Sequence, residues 1–313
     1  MDCATKSSFT LSFNTRSQIQ KLPSWLKIKY VDNELTNKIE SLSKNYNLHS
    51  VCQSAHCPNR SECWSQGTAT FMVMGEQCTR GCRFCAVSTM SKPPPLDPNE
   101  PQNLASAVAA LNLRYVVITS VARDDLEDEG AGHFAECIKA LKEKQAGLLI
   151  EVLVPDFKAK KFAIKKIIEA QPDVVSHNVE TVERLTRSIR DIRANYNQSL
   201  EVLRLYREMS NEKIITKSGM MVGFGESEGE IRKTMFDLRA IGVEIFTIGQ
   251  YLQPTKTPRH LPVKEFVHPD VFKKYEQMGY EVGFKYMACG ALVRSSYKAA
   301  EPFIEKMIVS RNR

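Results

Sequence analysis

The stretch Thr70-Phe-Met-Val-Met-Gly75-Glu-Gln-Cys78-Thr-Arg-Gly-Cys82-Arg-Phe-Cys85 carries a strand signal directly into three cysteines. Residues 70–74 form an apolar run with β-forming residues, closed by a glycine. That is the pattern of a strand buried on both faces and ending in a turn. The cysteines follow as C-x3-C-x2-C, three thiolates within eight residues. This spacing wraps a compact inorganic group. A [4Fe–4S] cube has four irons, each wanting a terminal ligand, so three cysteines leave one iron open. Gly81 allows a tight backbone path around a bulky cluster, and Phe84 supplies an apolar wall. Zinc is the alternative, but structural zinc usually takes four protein ligands and this stretch offers three.

Working outward, further short apolar runs occur at 115–121, 148–154, 173–177, 214–222 and 244–252. Between them lie helically spaced stretches at 103–111, 133–144, 160–170, 200–209, 228–241 and 269–279. Strands that alternate with helices imply a parallel sheet, because parallel neighbours need crossover connections. Six strand–helix units are too few for a closed eight-fold barrel. They predict an α/β fold, a partial (β/α)6 TIM-type barrel open on one side. In such folds the chemistry sits beyond the C-terminal ends of the strands, which is where the Cys78–Cys85 loop falls. The predicted organisation is a flexible segment over 1–30, an N-terminal extension over 31–69 with a helix at 34–44, the barrel over 70–282, and a C-terminal extension over 283–313. Both extensions are expected, from their order in the chain, to close over the barrel mouth.

An open iron can chelate the amino and carboxylate groups of S-adenosylmethionine (SAM). One-electron reduction of the sulfonium then gives methionine and a 5′-deoxyadenosyl radical, chemistry carried by the cofactors and positioned by the protein. A second trio, Cys52-x4-Cys57-x5-Cys63, is separated from Cys78 by fourteen residues. The total of nine cysteines is odd and clustered, which reads as metal binding rather than a disulfide framework. At 313 residues, 42% hydrophobic and 25% charged, the composition is globular. No apolar run reaches membrane-spanning length, so no membrane is expected. The net charge of +7 is modest, and no basic stripe is interleaved with aromatics, so nucleic acid is not expected. Residues 1–30 are rich in Ser, Thr, Asn and Lys but hold one Arg, Arg16, and an early Asp2. They read as an extension on a cytoplasmic protein, with an organellar transit peptide as the alternative.

The C-x3-C-x2-C loop after a strand matches the signature of the radical SAM superfamily. Its pairing with C-x4-C-x5-C resembles the lipoyl synthase family. So do Cys57-Pro-Asn-Arg-Ser-Glu-Cys63-Trp, Arg123-Asp-Asp-Leu126, Pro155-Asp-Phe157, His177-Asn-Val-Glu-Thr181, Lys217-Ser-Gly219 and Arg294-Ser-Ser-Tyr297. The similarity runs from about residue 22 to 297. It implies insertion of two sulfur atoms, at C6 and C8, into an octanoyl chain amide-linked to a carrier lysine. It also implies a radical-forming 4Fe-4S cluster on Cys78, Cys82 and Cys85. A second, auxiliary 4Fe-4S cluster on Cys52, Cys57 and Cys63 is implied as the sulfur donor, with Ser296 as fourth ligand. The implied partners are octanoylated lipoyl carrier domains (dehydrogenase E2 subunits or glycine cleavage H protein), an electron donor protein and a cluster-repair protein. No catalytic residue beyond the cluster ligands is expected.

For SAM contacts, Asn178 and Glu180 follow the fourth predicted strand at the correct end. The competing reading is helix capping, since Glu180-Thr-Val-Glu183 resembles a capping box. Lys217 and Ser218 are further SAM candidates. The six histidines show no metal spacing and receive no catalytic role. Some positions depart from the family pattern: Ala122 and Glu129 after the second strand, Cys289 and Ala291 near the end, and Thr257-Pro258 as a short insertion. Cys289 leaves open an alternative cluster ligand. Two other functions compete: a different radical SAM sulfurtransferase, and a non-catalytic iron–sulfur or zinc scaffold.

Overall fold

The computed structural model describes residues 22–27, 33–65, 70–296 and 301–311. Apart from 22–27, the segment expected to be flexible lies outside the described residues. The strands are β1 (His49–Ser50), β2 (Thr70–Val73), β3 (Gln77–Cys78), β4 (Ser88–Thr89), β5 (Tyr115–Ser120), β6 (Leu149–Leu153), β7 (Val174–Ser176), β8 (Ile215–Val222), β9 (Ile245–Gln250) and β10 (Tyr286–Gly290). Eight of them form one sheet in the order β1-β2-β5-β6-β7-β8-β9-β10. From β2 to β10 every neighbour is parallel, and helices join successive strands. This is the partial barrel. β10 and β1 are its two edges, and no pairing closes the seam between them among the described residues.

All six expected strands are present. A seventh parallel strand, β10, lies within the span expected to be C-terminal extension, and pairs with β9 from Tyr286↔Ile245 to Gly290↔Gly249. Its sequence, Tyr-Met-Ala-Cys-Gly, is short and holds no β-branched residue, so local propensity does not reveal it. The C-terminal span then divides. Residues 292–296 return to the mouth of the barrel, whereas the helix Glu301–Arg311 goes to the opposite end. There Ile304 and Met307 pack on Val174, Ile215 and Ile245, the opening residues of three strands. Only the first part of this extension closes the mouth.

Alternation sorts each strand into two faces. Outward-facing Val116, Ile118, Ile150 and Val152 join the core under the helices Glu100–Leu111, Ala131–Lys144 and Lys161–Glu169. Outward-facing Met220, Val222, Phe246 and Ile248 do the same under Glu228–Ala240 and Pro269–Val282. Inside the barrel, buried Lys217 Nζ lies 2.8 and 3.0 Å from the carboxylate oxygens of buried Glu151, and Tyr115 Oη donates to the same carboxylate. This ion pair lies above the apolar floor made by the C-terminal helix.

β1 pairs antiparallel with β2, His49 opposite Met72. The Ser50 hydroxyl accepts from the Cys52 amide at 3.1 Å, which fixes the start of the first cysteine segment against the first barrel strand. If the C-terminal helix seals the floor, Ile304→Ala should cost about 3 kcal/mol, the usual range for a truncated core aliphatic. A lowered urea midpoint in equilibrium unfolding is the expected result; no change would detach this helix from the fold's stability.

Candidate active site

β2 ends in two residues of positive φ, Met74 at 69° and Gly75 at 82°, which turn the chain into the Cys78–Cys85 loop. Met74 is not a glycine, and its conformation is held from outside. Its amide donates to Glu100 Oε2 at 2.8 Å, and His133 Nε2 meets the same oxygen at 2.5 Å. Glu100, His133 and Cys137 are the one group of His, Cys, Asp or Glu ligand atoms that converges within 4.8 Å among the described residues. Direct hydrogen bonding accounts for its Glu–His contact.

Neither cysteine trio converges to that spacing. Cys78 Sγ accepts from the Arg80 and Ala122 amides at 3.4 and 3.3 Å, and Cys82 Sγ from the Asp191 amide at 3.3 Å. N–H groups aimed at sulfur favour the thiolate that iron requires. Without metal, burial pushes the Cys82 thiol up to about 11 and that of Cys85 up to about 12. These thiols would remain neutral at pH 7 unless a metal drew off the proton.

The loop is anchored from below by Arg80. Its guanidinium reaches Asp124 at 2.8–3.3 Å and Asp156 at 2.6 and 2.8 Å. Burial alone would raise both carboxyls. The hydrogen bonds from Arg80, with its charge, instead hold them below the usual carboxylate range. On the outside, Asp191 accepts from the Gly81 amide at 2.8 Å, and Arg193 donates to the Thr79 carbonyl at 2.5 Å. His260 Nε2 lies 2.9 Å from the Cys85 carbonyl. Asp191 and His260 were not singled out in the sequence, and Arg80, Asp124 and Asp156 stood out only as members of motifs shared with the family, with no role of their own. Their partners lie 44 to 175 residues away, beyond any local pattern.

Across the barrel mouth lies a cavity of about 440 Å³. Its lining includes Cys52, Cys57 and Ser296 from the two extensions, Cys85 from the loop, and Asn178 and Glu180 from beyond β7. Cys63, Cys78 and Cys82 flank it without lining it. Leu153, Met221, Tyr251 and Val293 supply apolar wall. Asn178 Oδ1 is buried without a hydrogen-bond partner. Glu180 has φ 67° and bridges to Met220, and burial raises its carboxyl despite the nearby charge of Arg190. Asn178 and Glu180 are therefore suited to a polar, partly cationic ligand such as the amino group of SAM. The capping alternative is not seen: the helix Glu183–Ile189 is capped by Val182, with no side-chain cap bond.

Lys217 and Ser218 are not among the lining residues. Lys217 is committed to Glu151 below the cavity, and the Ser218 hydroxyl is buried without a partner elsewhere. Cys289 packs with the outer core beside β9, which removes it as an alternative ligand for a cluster in the cavity. Glu129, where the family pattern has glycine, adopts φ 56° and bonds Lys158 and Lys160 at 2.9 and 2.7 Å.

Two glycines let the walls meet. A Cβ on Gly219 would lie 2.6 Å from Thr247 Oγ1 and 2.9 Å from Asn178 Oδ1, and one on Gly249 would lie 2.1 Å from the Val293 carbonyl. The 292–294 backbone thus rests directly on β9. Asn59 Nδ2 donates to the Leu292 carbonyl at 2.5 Å, tying the first cysteine segment to the segment that bears Ser296.

A fold and site of this kind define a radical SAM enzyme. A profile of the Radical SAM superfamily matches residues 72–238. Methylornithine synthase superposes with a TM-score of 0.52 at 12% identity, over 90% of each chain. SAM-bound SuiB of Streptococcus suis gives 0.54 at 8% identity, over 74% of this chain and 54% of that one. These two likenesses bear on the fold alone. Lipoyl synthase of Anaeromyxobacter dehalogenans is 52% identical over 94% of this chain and 98% of its own length. The mitochondrial lipoyl synthase of Populus trichocarpa is 46% identical over 98% and 80%. The chain belongs to the lipoyl synthase family.

Gly249→Ala should push the 292–296 segment off the barrel. The expected outcome is loss of about half the cluster iron, read by iron analysis, with the SAM-cleaving cluster retained; full iron content would show that the segment tolerates the displacement. Lys217→Met should strand Glu151 and cost about 3 kcal/mol, with most of it recovered by adding Glu151→Gln. SAM affinity should be unchanged, and a large loss of affinity with normal stability would restore Lys217 as a contact.

Proposed function

We propose that the cavity is where one octanoyl chain meets a radical source and a sulfur source in turn. The observation that carries this reading is its lining: Cys85 of one trio, Cys52 and Cys57 of the other, Ser296, and the Asn178–Glu180 pair in one enclosed space. The chain is a lipoyl synthase, a radical SAM sulfurtransferase. It inserts two sulfur atoms at C6 and C8 of a protein-bound octanoyl-lysine, using 4Fe-4S clusters and SAM.

In the proposed assignment, Cys78, Cys82 and Cys85 hold the radical-forming cluster. Cys52, Cys57, Cys63 and Ser296 hold the donor cluster. Bound there, the clusters and SAM supply the electron, the hydrogen-abstracting radical and the sulfur. The protein's own residues do the rest. Asn178 and Glu180 orient the methionine end of SAM through an unpaired amide oxygen and a buried carboxyl. Leu153, Met221 and Val293 hold the octanoyl chain and keep solvent away from the reacting carbons. Ser296 would offer an oxygen ligand, a poorer match for cluster iron than thiolate, and so would hold its iron less firmly than the three cysteines. Lys217 and Ser218 fall outside this assignment.

The substrate is an octanoylated lipoyl carrier protein. Dehydrogenase E2 subunits and the glycine cleavage H protein are the carriers proposed, with an electron donor and a cluster-repair protein as further partners. No helix among the described residues is long and apolar enough to cross a membrane. We place the reaction in the cytoplasm, with an organellar matrix as the alternative suggested by the mitochondrial relatives.

The test is anaerobic turnover of the cluster-loaded protein with SAM, dithionite and an octanoyl-lysine peptide, read by mass spectrometry. Cys82→Ala should abolish deoxyadenosine formation and spare the second cluster. Cys57→Ala should still cleave SAM and add no sulfur. Ser296→Ala should keep radical formation and lose most thiolation. Normal thiolation by Cys57→Ala would overturn the donor assignment.

A further inference from the structure

The proposed reaction consumes one electron for each SAM cleaved, and the electron must enter from outside the chain. Transfer falls off steeply with distance, so the donor has to approach where the Cys78–Cys85 loop is nearest the surface. Gly81 and Arg83 on that loop are exposed. The loop's outer side is bordered by the segment 187–193: the Ile189 carbonyl accepts from the Arg83 amide at 2.8 Å, and the Asp191 amide bonds Cys82 Sγ. The chain leaving the loop stays close, since the Met90 amide donates to the Cys78 carbonyl at 3.0 Å.

The charge on these segments is one-sided. From Thr79 to Lys92 there is no acidic residue, and from Arg187 to Arg193 there is one, Asp191. Its carboxylate is held down to about 2, because the Arg193 and Gly81 hydrogen bonds outweigh partial burial. Arg83, Lys92, Arg187 and Arg193 are exposed. On the same two segments are two exposed apolar side chains, Met90 at 43% and Ile192 at 72%. Exposed apolar side chains on segments of one charge are the makings of a transient, electrostatically steered docking site.

Position separates this surface from the substrate's route. None of residues 87–92 or 187–193 lines the cavity, whereas 84–86 and 251–254 do. A protein seated over Arg83, Met90, Arg187 and Ile192 would lie against the Cys82 side of the loop and leave the cavity to the octanoyl chain.

We propose that this basic surface, to which Met90 and Ile192 add exposed apolar contacts, docks an acidic one-electron carrier protein that reduces the radical-forming cluster. The inference rests on the cluster assignment above. In the step it serves, the carrier loses one electron, and the sulfonium C–S bond of SAM accepts it to give methionine and the 5′-deoxyadenosyl radical.

The test uses the cluster-loaded protein and an acidic flavodoxin as probe. Binding is measured by biolayer interferometry across ionic strength, and deoxyadenosine formation is measured with either reduced flavodoxin or dithionite. Lys92→Glu/Arg187→Glu reverses two exposed charges outside the cavity, and Lys273→Glu reverses a remote one as control. The double variant should weaken binding by about tenfold or more at low salt and flatten its salt dependence. Its flavodoxin-driven rate should fall in step while the dithionite-driven rate holds, and Lys273→Glu should change neither. Unchanged flavodoxin binding would overturn the proposal. So would equal loss with both reductants. Loss confined to thiolation of an octanoylated carrier domain would do the same, giving the surface to the substrate protein. Absence of dithionite-driven deoxyadenosine in the unmutated protein would instead sink the cluster assignment, a separate failure.

Discussion

The guanidinium of Arg80 divides itself between two carboxylates, Asp124 just beyond β5 and Asp156 just beyond β6. One residue of the cysteine loop is thereby fastened to the C-terminal ends of two neighbouring strands. The loop has little regular structure of its own, only the two-residue pairing of β3 with β4, so its place is set by such side-chain and backbone contacts with the strand ends and segments around it. A buried ion pair gives little net stability once desolvation is counted, but losing one member is severe. Such a pair fixes where the loop goes more than how stable the protein is. Three thiolates can leave one iron open in a useful direction only if the backbone carrying them is held still.

The second constraint is close approach. Both walls of the cavity are backbone as much as side chain, because Gly219 and Gly249 present no Cβ to Asn178 and to the Val293 carbonyl. This lets a segment that has already left the barrel lie flat across its mouth. The outcome is that two proposed ligands some 240 residues apart in sequence, Cys57 and Ser296, share one space with Cys85.

The sequence carried the strands with strong apolar runs, the two cysteine spacings and the position of the loop after the first parallel strand. These depend on neighbours within a few residues. What it did not carry depends on partners far away. β10 lacks β propensity and exists because β9 offers it a free edge. The C-terminal helix looked like an extension, and only the bared opening residues of β7, β8 and β9 explain why it crosses to the floor. Lys217 shows the same limit from the other side. A lysine inside a strand next to Ser218 and Gly219 reads as a ligand contact, but β6 places Glu151 within reach and consumes it. Asn178 and Glu180 fared differently, because the end of β7 leaves them facing the cavity without a strong intrachain claim.

The open seam of the barrel is where these threads join. β1 and β10 are the two sheet edges, and unpaired edges are ordinarily a liability that a fold covers or blunts. Here the segment after β1 carries Cys52, Cys57 and Cys63, and the segment after β10 carries Arg294 and Ser296. Asn59 bonds Leu292 from one segment to the other, and the charge of Arg294 is felt at Cys57. The proposed donor-cluster ligands thus come from both edges of the seam. A closed eight-stranded barrel would have filled this place with strand pairing and left no room for a second cluster. By stopping short of closure, the sheet leaves its two edges unpaired with each other among the described residues. A cluster bound there would bridge the two edges, so the order of the seam and the occupancy of the sulfur site become one property of the fold.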